Sequence, residues 1–296
     1  MFKKKRIRVL FEHVLGKNAI DQWLEKDPVF NLSAEVKHLT ILFCEFRSFA
    51  SLSEWYTPQE IMKLLYEYKS EMVDVILRYG GMLDKFVGDE IMAEFGLPVS
   101  FPDHAERACL AALEMVRTFD RLRERWMHEG KSVLGIQIGI HTGDMSAGNL
   151  GAKQLFDYTV IGHEVTRGVS LMSVNKVYRT VNSIIISEAT KNELSNKFVT
   201  RELDNVRFKG LSKSTVIFEL LGENDIVVYP ELFLAHYNEG IAHYKNQDWD
   251  RASDDFKNAL DFREDELSKM YIKRCMHFKK YPPGTEWDGV FMLRTN

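Results

Sequence analysis

Apolar positions recur along the chain with two different periods, and the switches between them mark out the elements. His38-Leu39-Thr40-Ile41-Leu42-Phe43 is apolar nearly throughout and rich in β-formers, which predicts a central strand. Ile61, Leu64, Leu65, Tyr68, Met72, Val75 and Ile76 recur at helical spacing. With Pro58 at the first turn and Gly80-Gly81 as a stop, they predict a helix over 58–79. The run MLDKFV–GD–EIMAEFG reads as a hairpin with Gly88-Asp89 as its two-residue turn. A long helix over 102–129, a strand over 133–141 and a glycine-bearing loop or hairpin from Gly143 to Gly151 follow. Upstream, Val9, Leu10, Val14, Ile20, Trp23 and Leu24 predict a helix or pair of helices ended by Pro28.

Alternation of helical and strand segments through Leu221 argues for an α/β sandwich with helices packed on one sheet. The pattern changes after Glu223. From Phe233 to Phe278 everything is helical, and Gly240, Ala252, Phe256 and Ala259 fall at tetratricopeptide-repeat spacing. One such repeat cannot bury its own apolar face, so it must lean on the main domain or on a partner. Tyr281-Pro282-Pro283-Gly284 through Phe291 reads as an extended, partly aromatic tail.

Composition narrows the setting. Over 296 residues the apolar share is 45% and the charged share 28%, as in an ordinary soluble globular protein. A net charge of −4 gives no general reason to expect nucleic acid. Cys44, Cys109 and Cys275 are widely spaced, form no metal-ligand pattern and suggest a reducing compartment. No apolar run approaches the length of a membrane span. Lys3-Lys4-Lys5-Arg6 is followed by no signal-peptide core and reads as a solvated tail. The expected location is the cytoplasm, for this chain alone or as the cytoplasmic part of something larger.

Candidate chemistry centres on two acids. Glu45 closes the first strand and Asp89 sits in the hairpin turn; a β-α-β path can bring the two together. Two carboxylates there could hold a pair of Mg²⁺ or Mn²⁺ ions that clamp the oxygens of a phosphoryl displacement. On spacing alone the plainer reading is favoured, with Asp89 a turn residue and Glu45 a strand-end acid. Lys85, in an otherwise apolar strand, either donates to a purine nitrogen or snorkels to water. Lys209 before Gly210 offers an ammonium to a phosphate or is ordinary turn chemistry. His163, between Gly162 and Glu164, reads as a structural loop residue rather than a ligand or base.

Together the runs ILFCEFRSF, GGMLDKFVGDEIMAEFG, IQIGIHTGDMSAGNLG, FDYTVIGHEV and VRFKG resemble the class III nucleotidyl cyclase catalytic domain, in that family's order and spacing. The resemblance covers roughly residues 35 to 222. It implies a ferredoxin-like α+β sandwich, with helices on a mostly antiparallel sheet, over 32–225. Residues 1–31 resemble a transducing helix or linker, and 226–296 a small all-α extension of some bacterial members. It also implies cyclic nucleotide and pyrophosphate made from a nucleoside triphosphate at the interface of a head-to-tail dimer.

Residue by residue, the resemblance places Asp89 at the second metal aspartate and Glu45 at the first, where the family has aspartate. The Phe46 carbonyl joins the metal site, and backbone amides including Arg47, Ser48 and Phe49 wrap the triphosphate. Lys85 and Thr159 match the purine-reading pair, a lysine donor with a threonine acceptor that suits ATP, and Lys209 matches the phosphate-contacting lysine. Where the family reads Val-Asn-x-Ala-x-Arg, this chain reads Val165-Thr166-Arg167-Gly168-Val169-Ser170. Thr166 thus replaces the ribose-orienting asparagine and Ser170 the charge-stabilising arginine. Arg167 lies three positions early and would point elsewhere on a helix.

Three readings remain open. The chain donates a metal site to a partner cyclase domain carrying the missing Asn and Arg, as the metal-bearing half of mammalian two-domain enzymes resembles. It is a non-catalytic pseudocyclase, a dimerising or nucleotide-binding regulatory module. Or it is a weakly active homodimer.

Overall fold

The computed structural model describes residues 34–292, apart from 48, 153–156, 209–212, 225–228 and 285. The predicted N-terminal helix, Ser48 and Lys209 lie outside the described residues.

β1 (Glu35–Phe46) is the central strand, antiparallel to β3 (Glu90–Phe95) on one side and to β4 (Ile136–Asn149) on the other. β2 (Met82–Val87) pairs outside β3, and β5 (Tyr158–Ile161) pairs with the far end of β4. Beyond β4 come β6 (Ile184–Ser187), β8 (Thr215–Glu223), β7 (Phe198–Arg207) and β9 (Val290–Met292), which completes nine strands. Only β4–β6 and β7–β9 run parallel, so the sheet is mostly antiparallel as expected.

Alternation along β1 sorts its side chains between two layers. Leu42, Cys44 and Phe46 face a core built with α1 (Phe49–Trp55), α2 (Pro58–Arg78) and α3 (His104–His128) through Leu64, Tyr68, Phe119 and Trp126. Thr57 and Glu60 form a capping box that fixes where α2 begins. Leu39, Ile41 and Phe43 face the other layer, where α4 (His163–Tyr178) contributes Met172. Helices therefore cover both faces of the sheet. The approach of α4 requires glycine at two places. A Cβ on Gly139 would lie 2.3 Å from the Met172 amide nitrogen, and one on Gly168 would lie 2.8 Å from the Phe43 ring. A short α5 (Glu188–Asn192) follows β6.

Of the loop or hairpin expected from Gly143 to Gly151, the hairpin is present, since β4 pairs antiparallel with β5 from Ser146–Ile161 to Asn149–Tyr158. Residues 143–149 are no loop, however: β4 runs unbroken to Asn149, held by β1 from Phe46–Ile136 to Glu35–Ala147 and then by β5. The glycines that suggested a turn serve close packing instead. A Cβ on Gly148 would lie 2.8 Å from the Ala34 Cα.

The C-terminal helices α6 (Glu231–Lys245), α7 (Trp249–Phe262) and α8 (Glu266–Lys280) lean on the sheet. Phe233, Tyr237, Phe256 and Tyr271 share one core with Leu203, Val206 and Ile217 of the sheet and with Leu171 and Tyr178 of α4. Gly240 lies against Phe256, and Ala252 and Ala259 are fully buried, so the spaced small residues are the contacts between α6 and α7. Tyr237 and Tyr271 donate hydroxyl hydrogen bonds to the Glu202 and Leu203 carbonyls, each at 2.7 Å.

Charged groups are buried in the same interface. Arg201 donates from Nε to Glu219 at 2.7 Å and from Nη1 to Asp265, just before α8, at 2.9 Å. Its guanidinium lies 4.7 and 5.2 Å from the ring centroids of Tyr229 and Tyr237. Arg274 of α8 donates to Asp204 of β7 at 2.7 Å, and Tyr178 of α4 donates to the same oxygen at 2.8 Å. The tail closes the arrangement, with β9 beside β7 and Trp287 packed against Tyr244, Trp249 and Phe278.

Candidate functional site

The acidic end is built where β1 stops. Val87 pairs with Glu90, which leaves Gly88 and Asp89 as the two-residue turn, and Gly88 takes φ +62°, a region glycine enters without strain. Lys69 of α2 pins this turn: its Nζ donates to the Gly88 carbonyl at 2.7 Å and sits 4.5 Å over the Phe86 ring. The Phe46 amide donates to Asp89 Oδ2 at 3.1 Å, tying the turn to the end of β1.

Burial pushes the Asp89 carboxyl above its usual range, against hydrogen bonds from its own amide and that of Phe46, and the charge of Glu45 adds to the rise. Glu90 is raised by burial and then by Glu45 and Asp89. Three acids thus repel one another at one strand end. Such hard oxygen donors fit a Mg²⁺ or Mn²⁺ ion, which would relieve the repulsion. Glu45 is already engaged, however. It accepts a hydrogen bond from Nε2 of Gln137, its register neighbour on β4, and lies 3.3 Å from Lys176 Nζ of α4.

A second cluster gathers around Lys85. The register between β2 and β3 slips between Leu83 and Lys85, so Asp84 is the extra residue of a β-bulge. Regular alternation would put Asp84 and Lys85 on opposite faces; the bulge lets both face β5. Lys85 Nζ lies 3.1 Å from Asp157 Oδ2 and 3.3 Å from Asp84 Oδ1, and Thr159 donates its hydroxyl to Asp84 Oδ2. The sheet curls enough that β2 and β5 meet here, though β3, β1 and β4 separate them along the hydrogen-bonded path. Behind Asp84, buried Glu94 is held well above the usual carboxyl range, by burial first and by Asp84 second.

The consequence is a fixed hydroxyl. With its proton committed to Asp84, Thr159 can only accept, which suits an exocyclic amino group and not a carbonyl. Asp84→Asn supplies an amide donor, frees that proton and should narrow any preference for ATP over GTP by about tenfold, the value of one hydrogen bond in discrimination. Competition between the two nucleotides for binding measures it. An unchanged preference would mean that Asp84 does not set which purine edge Thr159 can meet.

Along α4 the substituted positions lie one turn apart. Thr166 is exposed and Ser170 half-buried, and the Ser170 hydroxyl donates to the Thr166 carbonyl at 2.8 Å. Arg167 is 3.3 Å from Glu164, which in turn lies 2.6 Å from His141 Nε2. Arg167 is thus committed within its own helix. His163 is the exposed first residue of α4 rather than a loop residue. Arg47 donates its amide to the Gly135 carbonyl at 2.8 Å, and the Phe49 ring packs 6.1 Å from Phe46.

Sequence reasoning placed Glu45, Asp89, Lys85 and Thr159 but missed Asp84, Asp157, Lys69, Gln137 and Lys176. Asp157 carried a signal, since it stands two residues before Thr159 inside a run already singled out. So did Asp84, next to Lys85, and Gln137, each inside a quoted run; Lys69 and Lys176 carried none.

The profile of the adenylate and guanylate cyclase catalytic domain matches residues 32–222. An adenylate cyclase of Anabaena cylindrica is 34% identical over 195 residues, 64% of this chain and 38% of that one. The crystal structure of the adenylyl cyclase CyaB from P. aeruginosa superposes with a TM-score of 0.62 at 32% identity, covering 66% of this chain and 100% of that one. The guanylyl cyclase Cya2 gives 0.59 at 31% identity, over 65% and 95% of the two chains. The chain spans about a third of the length of the curated relatives it matches. Among the described residues, no helix is long and apolar enough to cross a membrane.

Proposed function

We propose a function from a plain premise, that this chain belongs to the adenylate and guanylate cyclase catalytic-domain family. It binds ATP with a divalent ion and forms cyclic AMP and pyrophosphate only beside a partner cyclase domain that supplies the asparagine and arginine absent at Thr166 and Ser170. The observation that carries this reading is the Lys85–Asp84–Thr159 group, which presents one ammonium donor and one hydroxyl acceptor side by side. Adenine offers a ring nitrogen to the first and an amino group to the second. The bulge that aims Asp84 and Lys85 at one neighbour supports this reading.

Asp89, Glu45 and the Phe46 carbonyl would hold the ion, which when bound stabilises charge on the reacting phosphoryl group. The chain's own part is to fix the geometry: Lys69 and the Phe46 amide set the position of Asp89. Lys209 and the segment from Arg47 to Phe49 are assigned to phosphate contact on the resemblance alone.

The pairing of Glu45 with Lys176 favours a second reading, a pseudocyclase in which an ammonium occupies the charge that a metal ion would. Both readings are tested by assaying the purified chain with Mn²⁺ and ATP, alone and mixed with a cyclase domain that has intact Asn and Arg but damaged metal acids. Cyclic AMP that appears only in the mixture supports the first reading. Absence of ATP–Mn²⁺ binding at millimolar concentration sinks it. Lys176→Ala should tighten Mn²⁺ binding by up to about fivefold, the modest value of a largely exposed ion pair. Titration of Mn²⁺ by electron paramagnetic resonance reads this out, and weaker binding in the variant would mean that Lys176 does not compete with the ion.

A further inference from the structure

At the opening end of β1, away from Glu45 and Asp89, four side chains from four elements converge. His38 of β1 faces its register partner Asp144 of β4, with Nδ1 2.7 Å from Oδ1. Its Nε2 lies 2.6 Å from Oε1 of Glu193, the residue that caps the end of α5. His104, the first residue of α3, points its Nε2 at the other oxygen of Glu193, 3.7 Å away. The two imidazoles meet edge to face with centroids 5.5 Å apart. One ligand-type atom from each of His38, His104 and Glu193 lies within 4.8 Å of the others.

We infer that His38, His104 and Glu193 form a structural site for a divalent transition ion of the zinc class, separate from the carboxylate cluster at Glu45 and Asp89. Two imidazole nitrogens and one carboxylate oxygen are a ligand set zinc takes readily, with water in the fourth position. Ligands about 2.0–2.2 Å from a tetrahedral ion stand about 3.3–3.6 Å apart; the His104–Glu193 separation of 3.7 Å is close to that, and the His38–Glu193 hydrogen bond of 2.6 Å would open by under about 1 Å to admit the ion. Hard ions such as Mg²⁺ prefer all-oxygen shells and would be excluded.

The surroundings carry the inference further than the three ligands do. A metal-binding histidine ordinarily gives its other ring nitrogen to an acceptor, which fixes the tautomer and aims the ligating lone pair. Both histidines have such a partner. Asp144 holds His38, and the Thr40 hydroxyl lies 2.8 Å from His104 Nδ1. Thr40 is in turn 2.8 Å from the Thr142 hydroxyl, which donates to Thr190 at 3.0 Å, so His104 stands on a buried chain of hydroxyls. His104 itself is 5% exposed, an uncommon place for an imidazole that serves only solvent contacts. Two neutral imidazoles and two carboxylates sum to −2, which a divalent ion cancels. An ion here would clip together the starts of β1 and α3, the middle of β4 and the end of α5. His38 and Glu45 are seven residues apart on one extended strand, about 23 Å, so the two sites do not share ligands.

The test uses the full chain, freed of metal with a chelator and titrated with Co²⁺ and then Zn²⁺. Co²⁺ held by two imidazoles in a four-coordinate site absorbs strongly in the visible, whereas Co²⁺ in an all-oxygen octahedral shell absorbs weakly. The expected result is one strongly absorbing Co²⁺ per chain, displaced by Zn²⁺, with a higher unfolding midpoint when Zn²⁺ is bound. His38→Ala changes a half-exposed side chain and should abolish the visible bands. Asp144→Asn leaves all three ligands and should weaken Zn²⁺ about 10- to 100-fold, as loss of an orienting partner does. Co²⁺ bands that survive His38→Ala, or that disappear instead with His236→Ala in the other grouping of metal-type ligands, His236, Glu239 and Asp255, would overturn the assignment. So would a titration with no saturable binding.

Discussion

Thr166→Asn combined with Ser170→Arg should raise cyclic AMP formation by the purified chain with Mn²⁺ and ATP by about 10³-fold, the range over which a charge-stabilising arginine acts in phosphoryl transfer. The two positions lie one helical turn apart on α4, so new side chains there project from one face. The Ser170 hydroxyl donates within its own helix, so its replacement breaks no hydrogen bond to another element. Asn in a helix interior costs a few tenths of a kcal/mol relative to Thr or less, far below the expected gain. Residues that act as a unit are not additive, so either single change should give much less than half of the logarithmic increase. If the double variant folds and stays at the wild-type rate, the limit lies at the metal acids. Glu45→Asp added to it then separates an impaired metal site from a chain that has left catalysis.

Arg201→Met should destabilise the folded chain by about 3–5 kcal/mol, the cost of stripping one partner from a buried ion pair. Arg201 is almost wholly buried and answers two carboxylates from different parts of the chain, Glu219 in β8 and Asp265 before α8. Burial already pushes Glu219 above the usual carboxyl range, and Arg201 is the chief force holding it down. Without the guanidinium its folded pKa rises further above the unfolded value. The folded state then binds more protons than the unfolded state in the window between them, so stability falls as pH rises through it. The deficit should therefore be larger at pH 8 than at pH 5. Urea unfolding followed by circular dichroism at both pH values checks it. Arg207→Met is the contrast: Arg207 is 3.3 Å from Asp288, but its side chain is 40% exposed and that of Asp288 56%, and its loss should cost under about 1 kcal/mol. Equal losses from the two variants would mean that the buried charges do not anchor the helical extension.

The sequence by itself determined what short-range rules determine. Helical period, Pro58 and the Gly80-Gly81 stop set α2, the Gly88-Asp89 dipeptide set the hairpin, and a run of β-formers set β1. The ordered motifs between residues 32 and 222 were specific enough to bring in a family, and with it the identity of Asp89, Lys85, Thr159, Thr166 and Ser170 as positions to examine. Its errors were local ambiguities of the same kind. Glycines at 143 and 148 read as part of a loop or hairpin because glycine serves turns and close packing alike, and only pairing with β1 and β5 showed that both lie within a strand.

Tertiary structure decided the rest because those contacts join residues that no local period relates. Asp84 became a neighbour of Thr159 through a one-residue bulge, invisible to an alternating pattern, and through the curl of the sheet. Lys176 reached Glu45 because Gly139 and Gly168 let α4 lie close on β1 and β4. The helical extension settled on the sheet, where Arg201 and Arg274 found buried acids. His38, His104 and Glu193 look unrelated along the chain, and only the pairing of β1 with β4, with α3 beginning and α5 ending beside it, gathers them. Backbone periodicity is fixed by neighbours a few residues away. A site is fixed by which distant segments the closed sheet brings to one place.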